Sequence, residues 1–138
     1  SDISNGLHAL IKESLKKKKI IYSGNPNSMR DYIHVKDAAR ISGRVIKKDF
    51  DNKTLIISGP QSYKITDILN IISEITDIKK IKFVKKNKNK KYSHYLRTPY
   101  NVEETETFAL KLSDSLNVDI GQGLTNLVYE LKTKYKIK

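Results

Sequence analysis

Apolar residues Leu7, Leu10, Ile11 and Leu15 recur three or four positions apart near the start of the chain, a spacing that places them on one face of a helix. Ser4 or Asn5 can cap its start, and Lys16, Lys17, Lys18 and Lys19 lie near its end, where cations complement the helix dipole. The pattern predicts an amphipathic helix of about three turns. Ile20, Ile21 and Tyr22 form a strand-like run, stopped by the turn formers Ser23, Gly24, Asn25, Pro26 and Asn27. Residues 30–35 alternate well enough for a second strand, and Ala38, Ala39, Ser42, Val45 and Ile46 mark one face of a second helix.

After a polar connection over 47–53, residues 54–58 read Thr-Leu-Ile-Ile-Ser, closed by Gly59 and Pro60. Their lack of alternation predicts an interior strand of a parallel sheet, buried on both faces. Ile65, Ile68, Leu69, Ile72 and Ile75 follow at helical period, with Asp67 in the first turn where the dipole favours an anion. Residues 81–84 predict a short strand, and the basic, aperiodic stretch 85–101 a loop. Phe108, Leu112 and Leu116 suggest a modest helix, and Ile120, Leu124, Leu127, Val128, Leu131 and Tyr135 a stronger one. Alternating helices and strands indicate an α/β fold of short strands with about five helices. No internal repeat and no second domain is evident, so residues 1–138 read as one domain.

Composition narrows the class. A chain of 138 residues can bury a core but is short for a two-domain enzyme. It opens on Ser1 rather than Met, which suggests that it starts inside a longer protein. With no cysteine, it can hold neither a disulfide nor a thiolate metal site, and a reducing compartment, the cytoplasm, fits. No run approaches the ~20 apolar residues of a membrane span. The net charge of +12 comes almost wholly from lysine, which suggests nucleic acid. Ile and Asn are abundant too, however, and only four arginines occur (Arg30, Arg40, Arg44, Arg97). A compositional origin is the better reading, since nucleic-acid binders usually add arginine and stacking aromatics.

Two motifs look catalytic. Tyr32 and Lys36 have the Tyr-x-x-x-Lys spacing by which reductases bring an ammonium to a phenol, but the pair would straddle a strand end and a helix start, where the side chains need not converge. Gly121 and Gly123 hint at a pyrophosphate-binding turn, yet Asn126 stands at the third glycine position and a glycine-rich helix start fits better. His8, His34 and His94 are too scattered for a metal site.

The segment Met29-Arg30-Asp31-Tyr32-Ile33-His34-Val35-Lys36-Asp37-Ala38-Ala39-Arg40 resembles the Arg-Asp-Phe/Tyr-Ile-His-Val-x-Asp motif of the extended short-chain dehydrogenase/reductase family. Its surroundings agree: Asn5-Gly6-Leu7 upstream, Ile21-Tyr22-Ser23-Gly24 like the family's Ile-Tyr-Gly, and residues 55–62 like its Tyr-Asn-Ile-Gly-Gly-Gly segment. The resemblance implies the C-terminal, substrate-binding lobe of a Rossmann-type nucleotide-sugar epimerase or dehydratase, lacking the dinucleotide-binding half. Residues 54–58 would be the late strand that returns to the main sheet, leaving a face that the missing strands would cover.

The same resemblance implies a nucleotide-diphosphate sugar as ligand, a missing N-terminal Rossmann half as partner and, optionally, a homodimer. NAD or NADP would be bound by that half and not by this chain, and the catalytic residues would lie there too. Asn5 and Leu7 match the helix start that presents donors to the diphosphate. Tyr22 matches the aromatic that stacks on the base and reads equally as a core aromatic. Arg30 matches the arginine that grips the diphosphate or ribose, with an ion pair to Asp31 or Asp37 as its structural alternative. The usual Arg-Pro-Gly-Asp is absent; Lys90, Lys91 and Arg97 are candidates for a second basic contact, alongside Tyr95. A lysine-rich nucleic-acid-binding module and an inactive structural relative are the rival readings.

Overall fold

The computed structural model describes residues 6–46, 50–84, 110–113 and 116–137. Helix α1 (Gly6–Lys17) buries Ile11, Ser14 and Leu15 and places Lys16 and Lys17 in its last turn, as the sequence pattern requires. Lys18 then takes a left-handed φ of 52°, which reverses the chain into β1 (Ile20–Ser23). β1 pairs in parallel with β5 (Ile81–Val84), Ile20 opposite Ile81 and Tyr22 opposite Phe83.

The turn after β1 serves two elements. The Asn25 side chain accepts from the Asn27 amide at 2.9 Å, and the Asn25 carbonyl accepts from Ser28 N at 3.2 Å. The turn feeds β2 (Met29–Asp31), which pairs antiparallel with β4 (Ser62–Lys64). Its carbonyls also meet the start of α3 (Ile65–Thr76): Ile65 N donates to Ser28 O at 2.9 Å and Thr66 N to Pro26 O at 3.3 Å. α3 has no side-chain cap because these carbonyls satisfy its first orphan donors. It ends at Asp77, in the left-handed region with φ 55°.

Helix α2 (Val35–Arg44) is capped by His34, whose Nδ1 accepts from Lys36 N at 3.2 Å. β3 (Leu55–Ile57) pairs in parallel with β6 (Leu110–Leu112). Helix α4 (Ile120–Tyr135) is capped by Asp119, which accepts from Gln122 N at 3.1 Å, and it buries Leu124, Val128 and Leu131. Side chains from α1, β1, α3 and α4 form one core in which Ile11, Ile20, Ile68, Ile72 and Leu131 are wholly buried. Each such side chain contributes roughly 1.5–3 kcal/mol by leaving water.

The α/β class holds, with four helices among the described residues. Four local readings change. The strand expected over 30–35 spans only Met29–Asp31, because His34 turns the next residues into a helix cap. The apolar face read on α2 is not its buried face: Ala39, Ser42 and Ile46 are exposed, while Asp37 and Ile41 are buried. Residues 110–112 of the expected helix around Phe108, Leu112 and Leu116 instead form β6, held by hydrogen bonds to β3. β3 is parallel as expected but half-buried, not enclosed on both faces, and β6 is its one strand neighbour among the described residues. The loop expected over 85–101 lies outside the described residues.

Candidate functional site

The first turn of α1, the end of β1 and β2 converge on a cleft of about 870 Å³. Leu7, Tyr22 and Arg30, three residues singled out from sequence, all line it. Asn5, Tyr95 and Arg97 lie outside the described residues, as do Lys90 and Lys91. The α3 side chains Ile65, Ile68 and Leu69 form the floor, so the core helix that anchors the fold also shapes the cleft.

Arg30 is half-buried, and its Nη1 donates to the carbonyl of Met29 at 2.6 Å. The ion pairs that offered an alternative role do not form. Asp37 accepts from Arg40 Nη2 at 2.8 Å and from Val118 N at 2.8 Å, and Asp31 faces the Lys111 ammonium at 3.7 Å and the Ser62 hydroxyl. Among the described residues Arg30 has no carboxylate partner, so its remaining donors stay available for an anion.

Tyr22 stands edge-on to Phe83, ring centroids 6.3 Å apart, and packs against the core from the cleft side. Its ring folds back over Gly24: a Cβ there would lie 2.8 Å from Tyr22 Cε1. Tyr22 is therefore both a core-edge aromatic and a wall of the cleft.

Tyr32 sits just past β2, between Arg30 and His34. Burial, with a smaller contribution from Tyr22, pushes its phenol up to about 12 against the opposing effect of Arg30. Lys36 is exposed on α2. A phenol made harder to ionise is the opposite of the activated phenol that a catalytic Tyr-x-x-x-Lys pair requires. The spacing carries no chemistry here.

Tyr32 and the α1 start also border a second cleft of about 420 Å³, bounded by His34, Pro60, Tyr63 and the first turns of α4. Gly121 and Gly123 begin α4, as the helix-start reading expects. They do not suit a dinucleotide: the cap is the Asp119 carboxylate, which would repel a pyrophosphate at that helix end. Among the described residues no cluster of His, Asp or Glu could hold a metal ion, and no helix is long and apolar enough to cross a membrane.

Two features of the site escaped sequence reading. Asp37, 2% exposed, ties the α2 start to the segment before α4, although a carboxylate is seldom a core residue. Lys19 lines the cleft because the Lys18 turn brings it back alongside α1.

No protein-family model matches the chain, and no curated protein matches it. Solved structures do. A mutant UDP-glucuronic acid 4-epimerase from Bacillus cereus, in complex with UDP-4-deoxy-4-fluoro-glucuronic acid and NAD, superposes with a TM-score of 0.73 at 21% identity, over 96% of this chain and 41% of its own. The dTDP-glucose 4,6-dehydratase of Bacillus anthracis, in complex with NAD, gives a TM-score of 0.68 at 20% identity, over 94% and 40%. The UDP-glucose 4-epimerase of Thermotoga maritima, with UDP-glucose, gives 0.68 at 17% identity, over 94% and 40%. At these identities the likeness establishes a shared fold, and the chain spans about two-fifths of the length of each of these proteins.

Proposed function

We propose that this chain is the single, substrate-binding C-terminal domain of an NAD(P)-dependent nucleotide-sugar epimerase or dehydratase, and that the cleft bounded by Leu7, Tyr22 and Arg30 binds a nucleotide-diphosphate sugar. The observation that carries the reading is that an arginine with no carboxylate partner among the described residues, a flat ring and a helix start share one cleft. The guanidinium meets the diphosphate oxygens, the α1 start adds backbone donors and partial positive charge, and Tyr22 packs on the base. Asn5, Tyr95 and Arg97 complete the ligand's surroundings on this reading.

The isomerase or lyase chemistry belongs to the whole enzyme. NAD(P) supplies reversible hydride transfer at a sugar carbon when bound, and it is held by an N-terminal half outside this sequence. This chain's part is to hold and orient the nucleotide. The absence of cysteine accords with work in the cytoplasm. The test is calorimetry of UDP binding to the 138-residue chain and to its Arg30→Ala variant. The variant should lose on the order of tenfold in affinity, about 1.4 kcal/mol, with an unchanged circular dichroism spectrum. Equal affinities would remove Arg30 from the site.

A further inference from the structure

The cleft does not stop at Arg30. It runs along α1 from Gly6 to Lys17, a rise of roughly 16 Å for a helix of this length. Tyr32, which borders Gly6 and Leu7 in both clefts, marks the Gly6 end, and Arg30 lies two residues before it on β2. Between the two ends the walls are mostly apolar, Ala9 and Leu10 from α1 and Ile21 from β1, with Glu13 and Ser14 beside them on α1. An apolar slot of this kind suits a heterocycle and offers little to the hydroxyls of a sugar.

At the far end stand Lys17 and Lys19. They are not equivalent. Lys17 is engaged by Glu13 at 2.6 Å, both side chains more than half exposed. Lys19 is half-buried and makes no ion pair among the described residues. The left-handed turn at Lys18 places Lys19 just before β1, on the cleft wall. A lysine ammonium only donates hydrogen bonds. It therefore favours a base presenting a carbonyl and disfavours one presenting an amino group at the same place.

We propose that Lys19 is a specificity-determining residue, donating to the C4 carbonyl of the nucleotide's base, so that the cleft selects 4-oxo bases such as uracil over 4-amino bases such as cytosine. This rests on the nucleotide-sugar reading of the cleft and adds the direction in which the ligand lies: diphosphate at Arg30, base toward the α1–β1 turn.

UDP and CDP separate the possibilities, because their bases are nearly isosteric, share the C2 carbonyl and differ only at C4, a carbonyl against an amino group, and at the adjoining N3, a donor in uracil and an acceptor in cytosine. Calorimetry on the 138-residue chain should show UDP bound on the order of tenfold more tightly than CDP, the size expected of one charge-assisted hydrogen bond. Lys19→Met should bring UDP to the level of CDP and leave CDP within about twofold. Arg30→Ala should weaken both alike. If Lys19→Met weakens UDP and CDP equally, or changes neither, the base assignment is overturned while the nucleotide reading stands. Failure of the unmutated chain to bind either nucleotide overturns both. Circular dichroism and melting of each variant exclude misfolding as the cause.

Discussion

The backbone of Gly59 lies against the carbonyl of Tyr32: a Cβ at position 59 would come within 1.9 Å of that oxygen. The contact seats the link between β3 and β4 on the segment joining β2 to α2, the segment that borders both clefts. It explains a glycine that sequence identified only as the end of a strand.

Gly59→Ala forces two backbones apart, and no side-chain rotation relieves a clash with a carbonyl oxygen. The variant should lose about 2 kcal/mol or more of stability, the upper range for overpacking. A urea titration with an unchanged slope and a lower midpoint is the expected result; an unshifted midpoint would mean that the two segments separate freely.

Asp37 has a comparable structural duty. Its two carboxylate oxygens hold Val118 N and Arg40 Nη2, each at 2.8 Å, with the side chain 3% exposed. Asp37→Ala strands a backbone donor and removes the charge partner of Arg40, a loss of about 2–3 kcal/mol. Asp37→Asn keeps an acceptor for Val118 N and should cost less. Chemical denaturation of the two variants checks the order, and equal losses would show that the charge alone matters.

The elements that sequence revealed are those whose signal is local. α1, α3 and α4 each repeat apolar residues at helical period, and all of these bury that face in the core. β6 failed because its cause is remote: three residues, Leu-Lys-Leu, become a strand only by pairing Leu110 with Leu55, and nothing within the triplet says so. α2 failed because its most buried residue is a carboxylate, and a hydropathy pattern cannot register burial that depends on hydrogen bonds. In the site, Leu7, Tyr22 and Arg30 were visible through a motif. Lys19 was not, since four successive lysines read as a solvated run until the turn at Lys18 is known.

Tyr32 gives the fold a pH limit on the alkaline side. Its folded pKa, about 12, lies above the ordinary value of 10.0. Below the unfolded pKa both states carry a neutral phenol, and the stabilisation that burial reflects is fully present. As pH rises from there through the folded pKa, the unfolded chain releases the proton first, and that stability is lost. Denaturation midpoints should fall across this window in the parent chain and fall less in Tyr32→Phe. Spectrophotometric titration should find one tyrosine ionising later than the exposed ones; Tyr32→Phe should remove that late step.

Gly24 offers a way to disturb the cleft while sparing the core. A methyl at position 24 would lie 2.8 Å from Cε1 and 3.1 Å from the hydroxyl oxygen of Tyr22, so the ring must swing. It can do so, because the obstacle is the outer edge of a side chain and not backbone. The swing itself should cost little, since the wholly buried core residues stay in place, but Gly24 holds a φ of 159° that L side chains rarely adopt, so the variant should also lose about 1 kcal/mol or more to backbone strain. It should cost binding, because the wall on which a base would pack no longer stands where the diphosphate contacts place that base. Gly24→Ala is thus expected to weaken UDP by several-fold, less than the loss of one base-stacking aromatic, which is worth roughly 1–3 kcal/mol. Tyr22→Ala should exceed it. If Gly24→Ala lowers the melting temperature and leaves UDP affinity intact, Tyr22 serves only the core edge, and the base must pack elsewhere along α1.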